Sequence, residues 1–428
     1  MKRSICALFL GFLTYAGSFA FDKPFFSGYA GFQTNLQNAS DSSLLNKNVT
    51  AETFFSGQLD FSGKVFLRGE FYVLSAEMTN SNILSGYEDA NAYFRLEDIS
   101  ATLKTNSTNA SHYISVFMGN YEPIGSDLFL QRQFGIEPIS SSFTTSWQGI
   151  EGSSIIPSYQ TGVSYVYHPQ SNYALEFKGY KNSYDENSIA GGLSTNHTDG
   201  IDFAGRYAAL FDRATIDLQL SVDLPLEKKD ANGDDVFLLI KKIRLNGGFS
   251  LLLGNRYTTS LFLQGGYEGY VINGDSSDKE FSIKNVYAFS ESRFSTSRFN
   301  MGVAVFNIPV KSAVSMTYLK NIVYENPSAE SIFGANVNIY SDKLYFDSTN
   351  YTLGIHATWV MTDDDAETLL DNRSQIAEKL LHEFKLTPYT SINILGGSLS
   401  ASVTLNCYDL ITDFSHSISG NIGFKTSF

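Results

Sequence analysis

Cysteine is almost absent from this chain: of its 428 residues only Cys6 and Cys407 carry a thiol. Loss of Cys6 with an amino-terminal leader excludes an intrachain disulfide, and a cysteine-held zinc site with it. The six histidines are scattered without metal spacing, so no metal or other cofactor is implied. Long apolar runs are missing too. Beyond residue 20 no continuous hydrophobic stretch reaches the length of a membrane-spanning helix. Basic residues are outnumbered by acidic ones, 30 to 44, for a net charge of −14. That sign argues against a nucleic-acid binder and suits acidic, water-exposed loops. No Pro- or Gly-rich linker divides the chain, although it is long for one soluble domain.

What the chain has instead is rings. Phenylalanine and tyrosine number 34 and 25, and aromatics make up 14% of residues. Extra aromatics without apolar runs suit a barrel whose interfacial girdles consume them. At the amino terminus, Lys2 and Arg3 precede the apolar stretch Ile5–Tyr15 and then Ser18, Phe19 and Ala20. A short positive region, an apolar region and a small-x-small site describe a secretory signal peptide over 1–20, cut before Phe21. Cys6 lies too early to be a lipoprotein cysteine. The mature domain is then 21–428.

Alternation is the dominant pattern. Ile216, Leu218, Leu220 and Val222 interleave with Thr215, Asp217, Gln219, Ser221 and Asp223. Ile243 to Leu253 at odd positions interleave with Arg244, Asn246, Gly248 and Ser250, and Tyr351 to Trp359 repeat the arrangement against Thr352, Gly354, His356 and Thr358. A period of two, with charges on one face only, marks strands with lipid on one side and water on the other. Eighteen such segments are read between residues 27 and 428, among them 237–253, 312–323, 385–406 and 412–428. The fold class is therefore all-β, a transmembrane antiparallel barrel of about 16–18 strands. Short links at 62–63, 169–171, 211–213, 254–256 and 293–296 alternate with long polar ones at 37–53, 78–89, 122–159, 182–199 and 225–236. Short periplasmic turns and long outer loops have that arrangement.

Two segments break the period. Over 362–384, Ala366, Leu369, Leu370, Ile376, Ala377, Leu380, Leu381 and Phe384 recur at three and four, the spacing of a helix. Strand parity puts this short helix on the periplasmic side, folded against the barrel mouth or acting as a plug or docking element. The other break is 122–159, apolar and aromatic despite its length, with Phe129, Phe134, Ile136 and Trp147. Such a loop is functional rather than disordered.

The last strand, with Phe414, Ile418, Ile422, Phe424 and Phe428 on one face and serines, Asn421 and Lys425 on the other, resembles the closing strand of bacterial outer-membrane barrels. In those proteins it is the assembly signal, which implies the barrel-assembly machinery as a partner. The whole mature chain resembles a general outer-membrane porin, in which the third long loop folds into the lumen. The third long loop here is 122–159. If it is inside, Glu122, Asp127, Arg132 and Glu137 are candidate constriction charges, facing Arg68, Glu70, Arg95, Lys178, Arg206, Arg244 and Arg298 on the wall; opposed charges would then set ion preference. The alternative is a loop covering the outer mouth, its charges in bulk water.

Other signals are weaker. Asp230 to Asp235 resembles the start of a calcium loop, but Gly233 is early and Lys241 stands where a glutamate should. Ser417 beside His416 is no catalytic pair, since neighbours on a strand face opposite ways, so no enzymatic activity is read. The resemblance implies a channel in the bacterial cell outer membrane for passive diffusion of small hydrophilic solutes, with membrane lipid and a homo-oligomer as further partners. Two alternatives stand beside it. A surface adhesin or receptor would act through 37–53 and 182–199; a transporter of hydrophobic compounds would need an amino-terminal plug, for which Phe21–Phe26 leave little room.

Overall fold

The computed structural model describes residues 24–38, 47–75, 92–145, 154–182, 200–229, 235–240, 243–255, 257–272, 281–319, 322–323, 329–346, 349–362, 383–414 and 417–428. Strands β1 (Pro24–Asn38), β2 (Lys47–Phe61), β3 (Val65–Ser75), β4 (Ala92–Asn106) and β5 (Ala110–Gly119) form the first hairpins. Next come β6 (Gln160–Pro169), β7 (Tyr173–Asn182), β8 (Gly200–Phe211), β9 (Ala214–Lys229) and the short β10 (Asp235–Ile240). The remainder are β11 (Arg244–Gly254), β12 (Thr259–Val271), β13 (Val286–Ser295), β14 (Asn300–Pro309), β15 (Ser331–Phe346), β16 (Thr349–Thr362), β17 (Phe384–Ile394), β18 (Gly397–Asn406) and β19 (Ile418–Ser427). Each pairs antiparallel with its neighbour, except that β10 pairs only with the far end of β9 while β11 takes the place beside β9 in the wall. The wall is thus a closed 18-stranded antiparallel barrel.

Closure is made by β1 against β19, in register from Tyr29↔Ser427 to Leu36↔Gly420. It removes the free sheet edge that a membrane would leave without hydrogen bonds. The Phe428 amide donates to the Gly28 carbonyl, and the Gly28 amide donates back, both at 3.0 Å. The Phe428 ring stacks on Phe26 at 5.3 Å and Phe55 at 5.8 Å, and the row continues through Phe71 to Phe94 on the outside of the barrel. A side chain at 28 would meet the Ser56 carbonyl oxygen and this ring, so glycine permits the seam. Each such ring pair is worth about 1 kcal/mol. Phe428→Ala is therefore expected to lower the urea midpoint of the protein refolded in lipid vesicles; an unchanged midpoint would contradict this account of the seam.

The wall is inside out relative to a water-soluble protein. On β9, Thr215, Asp217, Gln219 and Ser221 are buried, while Leu218 and Leu220 are exposed, the latter at 61%. On β16, His356 and Thr358 are buried and Leu353 and Ile355 exposed; on β19, Ser419 is buried and Ile422 exposed. Polar side chains face the lumen, and apolar ones form an outer surface that only lipid can cover. The barrel spans a membrane.

Four sequence expectations need correction. Segment 237–253 is not one strand but two, β10 and β11, of which β11 belongs to the wall. Segment 312–323 is not a strand. After β14 the chain makes a helical turn, α2 (Val310–Ala313), and the following turns bury Ala313, Met316, Leu319 and Val323 inside the barrel. Segment 385–406 is two strands, β17 and β18, joined by Leu395 and Gly396, both at positive φ (53° and 74°). One false strand and one missed turn cancel in the total. Between them, however, they invert the parity, so the 362–384 connection joins β16 to β17 at the long-loop end and not on the periplasmic side. The structure of the helix expected there, over 363–382, lies outside the described residues. Among the described residues, three connections carry a short α-helix: α1 (Leu128–Phe134) after β5, α2 after β14, and α3 (Asp409–Thr412) between β18 and β19.

Candidate functional site: the lumen

The loop after β5 folds into the barrel. Tyr121 stacks on Phe117 of the wall with ring centroids 4.2 Å apart, and Glu122 turns the chain inward at a positive φ of 44°. That conformation costs a non-glycine residue about 1–3 kcal/mol. The turn is held from the wall: the Glu122 carbonyl accepts from Arg206 Nη1 at 2.7 Å and from Lys178 Nζ at 3.5 Å. Helix α1 follows, ended by Gly135 in the left-handed region, whose amide donates to the Gln131 carbonyl. Phe129 and Leu130 are fully buried.

From there the loop crosses the lumen to the short-turn end. The Phe134 ring meets His168 edge-on at 5.2 Å, the Tyr257 hydroxyl donates to Glu137 at 3.3 Å, and Arg293 donates to the Ile139 carbonyl at 2.8 Å. The return limb is tied to the entry limb by the Ile155 amide on the Ile124 carbonyl, 2.9 Å. A second insertion, 310–323, packs beside it through Ser312 Oγ on the Ile155 carbonyl and the Thr317 amide on the Thr145 carbonyl. Ile124, Phe129, Leu130, Ile139, Phe143 and Ile155 of the loop pack with Met316, Leu319 and wall residues such as Leu252 and Phe262 in one apolar cluster. Each large side chain so buried contributes about 1.5–3 kcal/mol, which makes the loop a fixed part of the interior.

The charges around it are paired. Arg68 reaches Glu70 at 2.7 Å and Asp98 at 3.6 Å. Arg132 of the loop pairs with Glu122 and donates to the Tyr121 hydroxyl. Lys178 lies 3.4 Å from Glu176, and Arg206 grips Asp217 through Nε and Nη2 at 2.7 and 2.5 Å. Of the charges expected to line a constriction, the structure therefore gathers Arg68, Glu70, Glu122, Asp127, Arg132, Lys178 and Arg206 inside the barrel. Glu137 is exposed at the short-turn end. Arg244 stands at the long-loop end of β11, 3.8 Å from Asp223 and largely exposed, and Arg298 is exposed in the turn between β13 and β14. The Arg95 side chain lies outside the described residues. Residues 39–46 and 183–199, within the segments 37–53 and 182–199 expected to make an adhesin's contacts, lie outside the described residues too.

Asp127 is a buried anchor. Its Oδ2 accepts from the Ile139 amide, the Ser140 amide and Ser140 Oγ at 2.9, 2.7 and 2.5 Å. Burial nonetheless pushes its carboxyl up to about 7, the bonds from Ser140 and Ile139 opposing the rise. Between the ordinary carboxylate value and about 7 the folded state holds this proton more tightly than the unfolded chain does. Docking of the loop is thus strongest at low pH and weakens as pH rises through that window. Wild-type resistance to urea is expected to fall across it, with Asp127→Asn showing a flatter profile; parallel profiles would contradict the assignment.

Sequence reasoning missed the side of the lumen opposite the ion pairs. Three cavities follow one another along β17, β18 and β19. The first, of about 20 Å³, lies between Tyr318, Ile322, Lys385 and Thr404. The next, about 260 Å³, shares Thr317, Tyr318, Ser402 and Asn421 with it. The last, about 470 Å³, shares Ser398 and Lys425 with the second and opens around Asn393–Gly396 at the short-turn end. Tyr318 is set by ring contacts to His356 (4.2 Å), Phe143 (6.2 Å) and Tyr389 (6.2 Å). The signal available in the sequence was the run of serines at 398, 400 and 402, facing Asn421, Gly423 and Lys425 across the pair.

No family model matches the sequence, and no curated protein matches it. Solved structures do resemble it. An engineered protein described under asymmetric conductivity shares 10% identity, covers 95% of this chain and 100% of its own, and has a TM-score of 0.43. A double mutant of the Rhodopseudomonas blastica porin has the same identity and coverage with a TM-score of 0.42, and a triple mutant of that porin has 11% identity, the same coverage and a TM-score of 0.41.

Proposed function

We propose that the protein is a porin-like channel of the bacterial outer membrane, passing small hydrophilic solutes by diffusion down their gradients. The observation that carries this reading is the series of adjoining cavities, with hydroxyl and amide side chains in their walls, that lies along β17–β19 beside the two inserted segments. A lipid-facing exterior sets the place, the polar lining supplies hydrogen bonds to a partly dehydrated solute, and the narrow stretch beside Tyr318 limits its width. No energy source enters. The signal peptide expected over 1–20 and assembly through the closing strand belong to the same reading.

Swelling of liposomes in isotonic sugar solutions tests it. Vesicles carrying the refolded protein should swell fastest in the smallest sugars, with rates falling steeply as size increases. Equal rates with and without protein for every sugar would overturn the reading.

A further inference from the structure

The middle cavity, of about 260 Å³, stands at the lower edge of the range that small-molecule sites occupy. Two tyrosines form one part of its wall, Tyr318 from the second insertion and Tyr389 from β17. Their rings lie 6.2 Å apart, and both pack on His356, at 4.2 and 5.0 Å. His356 is itself fixed, its Nδ1 lying 3.2 Å from Asn336 Oδ1, and the Tyr389 hydroxyl donates to Asn338 at 3.1 Å. Neither ring is free to swing.

The rest of the wall offers hydroxyls and amides, among them Ser398, Ser400, Ser402 and Asn421. Such groups both donate and accept, as the hydroxyls of a sugar do. Gln33, also in the lining, is only 4% exposed, and its Oε1 has no hydrogen-bond partner. A buried acceptor left in that state is costly until a donor reaches it.

Charge of both signs surrounds the cavity. Lys425 lines it, with Nζ 4.8 Å above the Tyr29 ring, and Lys385 lines the narrow space next to it. Glu52 stands opposite Gln33 in register, and the field of Asp342 reaches the Tyr389 phenol. No single sign of ion is favoured there. A charged solute would give up hydration without a dedicated counter-charge, whereas a neutral one pays no such cost.

Resting on the channel reading, we infer that this cavity binds one neutral sugar ring, so that the channel passes sugars through a saturable site and not by size alone. The tyrosines supply aromatic surface for the C–H face of the ring, and the serines and asparagine read its hydroxyls.

Single-channel recording in potassium chloride, with glucose, glucuronate or glucosamine added, tests the inference. Wild-type current should fall along a saturating curve in glucose, half-blocked several-fold below the concentration that either charged derivative needs. Tyr318→Ala should raise the half-blocking concentration by roughly tenfold, while Tyr318→Phe, which keeps the ring, should stay near the wild type. A measurement with the tyrosines intact guards against misfolding of the alanine variant. Ser400→Cys in a Cys407→Ser background should react with methyl methanethiosulfonate more slowly in glucose than without it. Current that falls only in proportion to bath viscosity, tighter block by a charged derivative, unchanged block in a conducting Tyr318→Ala variant, or equal reaction of the Ser400→Cys variant with and without glucose would overturn the sugar site while leaving the channel reading intact. Absence of any current in the wild type would overturn both.

Discussion

Replacing residues 120–159 with a two-residue Asn-Gly turn should raise the single-channel conductance several-fold. The replacement is geometrically permitted because Gly119 and Gln160, the flanking residues, are register partners in the β5–β6 hairpin, and a two-residue turn closes such a pair. The wall ladder is untouched, so the barrel should still form. What disappears is the apolar mass that crosses the lumen, from Tyr121 at one end to Glu137 at the other, together with its half of the cluster containing Leu252 and Phe262. Those wall side chains then meet water, so the variant should also unfold at lower urea. Unchanged conductance in a folded variant would show that the loop does not limit flow.

The second large effect is expected at Arg206. Its guanidinium makes two bonds to Asp217, a third to the Glu122 carbonyl, and lies 4.4 Å above the Phe129 ring. All three partners are buried. Arg206→Ala leaves the Asp217 carboxylate without its cation and the strained turn at Glu122 without its closest donor. Breaking one half of a buried pair costs about 3–5 kcal/mol. Arg206→Met/Asp217→Leu, which removes both charges at similar volume, should recover most of the loss. A cost below about 1 kcal/mol for the single change, or no recovery in the double one, would show that the pair does not anchor the loop.

The barrel was legible because lipid on one face and water on the other write a period of two into every strand, as Thr215–Val222 shows. Its errors have physical causes. Residues 312–323 alternate weakly, but Ala313, Met316 and Leu319 also recur at three, and burial inside the lumen favours the helical turns. The β17–β18 turn hid because Leu395 occupies a position that favours asparagine or glycine. A trace was present: lumen-facing positions switch from odd (Lys385, Thr387) to even (Ser400, Ser402) across it. Without that turn the parity of 331–361 inverted, and the 362–384 connection moved to the wrong end. At the site, the charges of 122–159 were legible by type, but their pairing was not. Which wall cation meets which acid depends on how far the loop reaches, and the glutamate at positive φ has no sequence signature. The cavities along β17–β19 left only the serines at 398, 400 and 402 as a trace, because their place is defined by where two insertions leave space.

Single-channel recording of the refolded protein in a planar bilayer tests the central claim most directly. A channel of this architecture should give uniform, long-lived current steps that insert one after another and scale with salt concentration. A correctly folded protein that inserts into the bilayer and leaves it electrically silent would contradict the account.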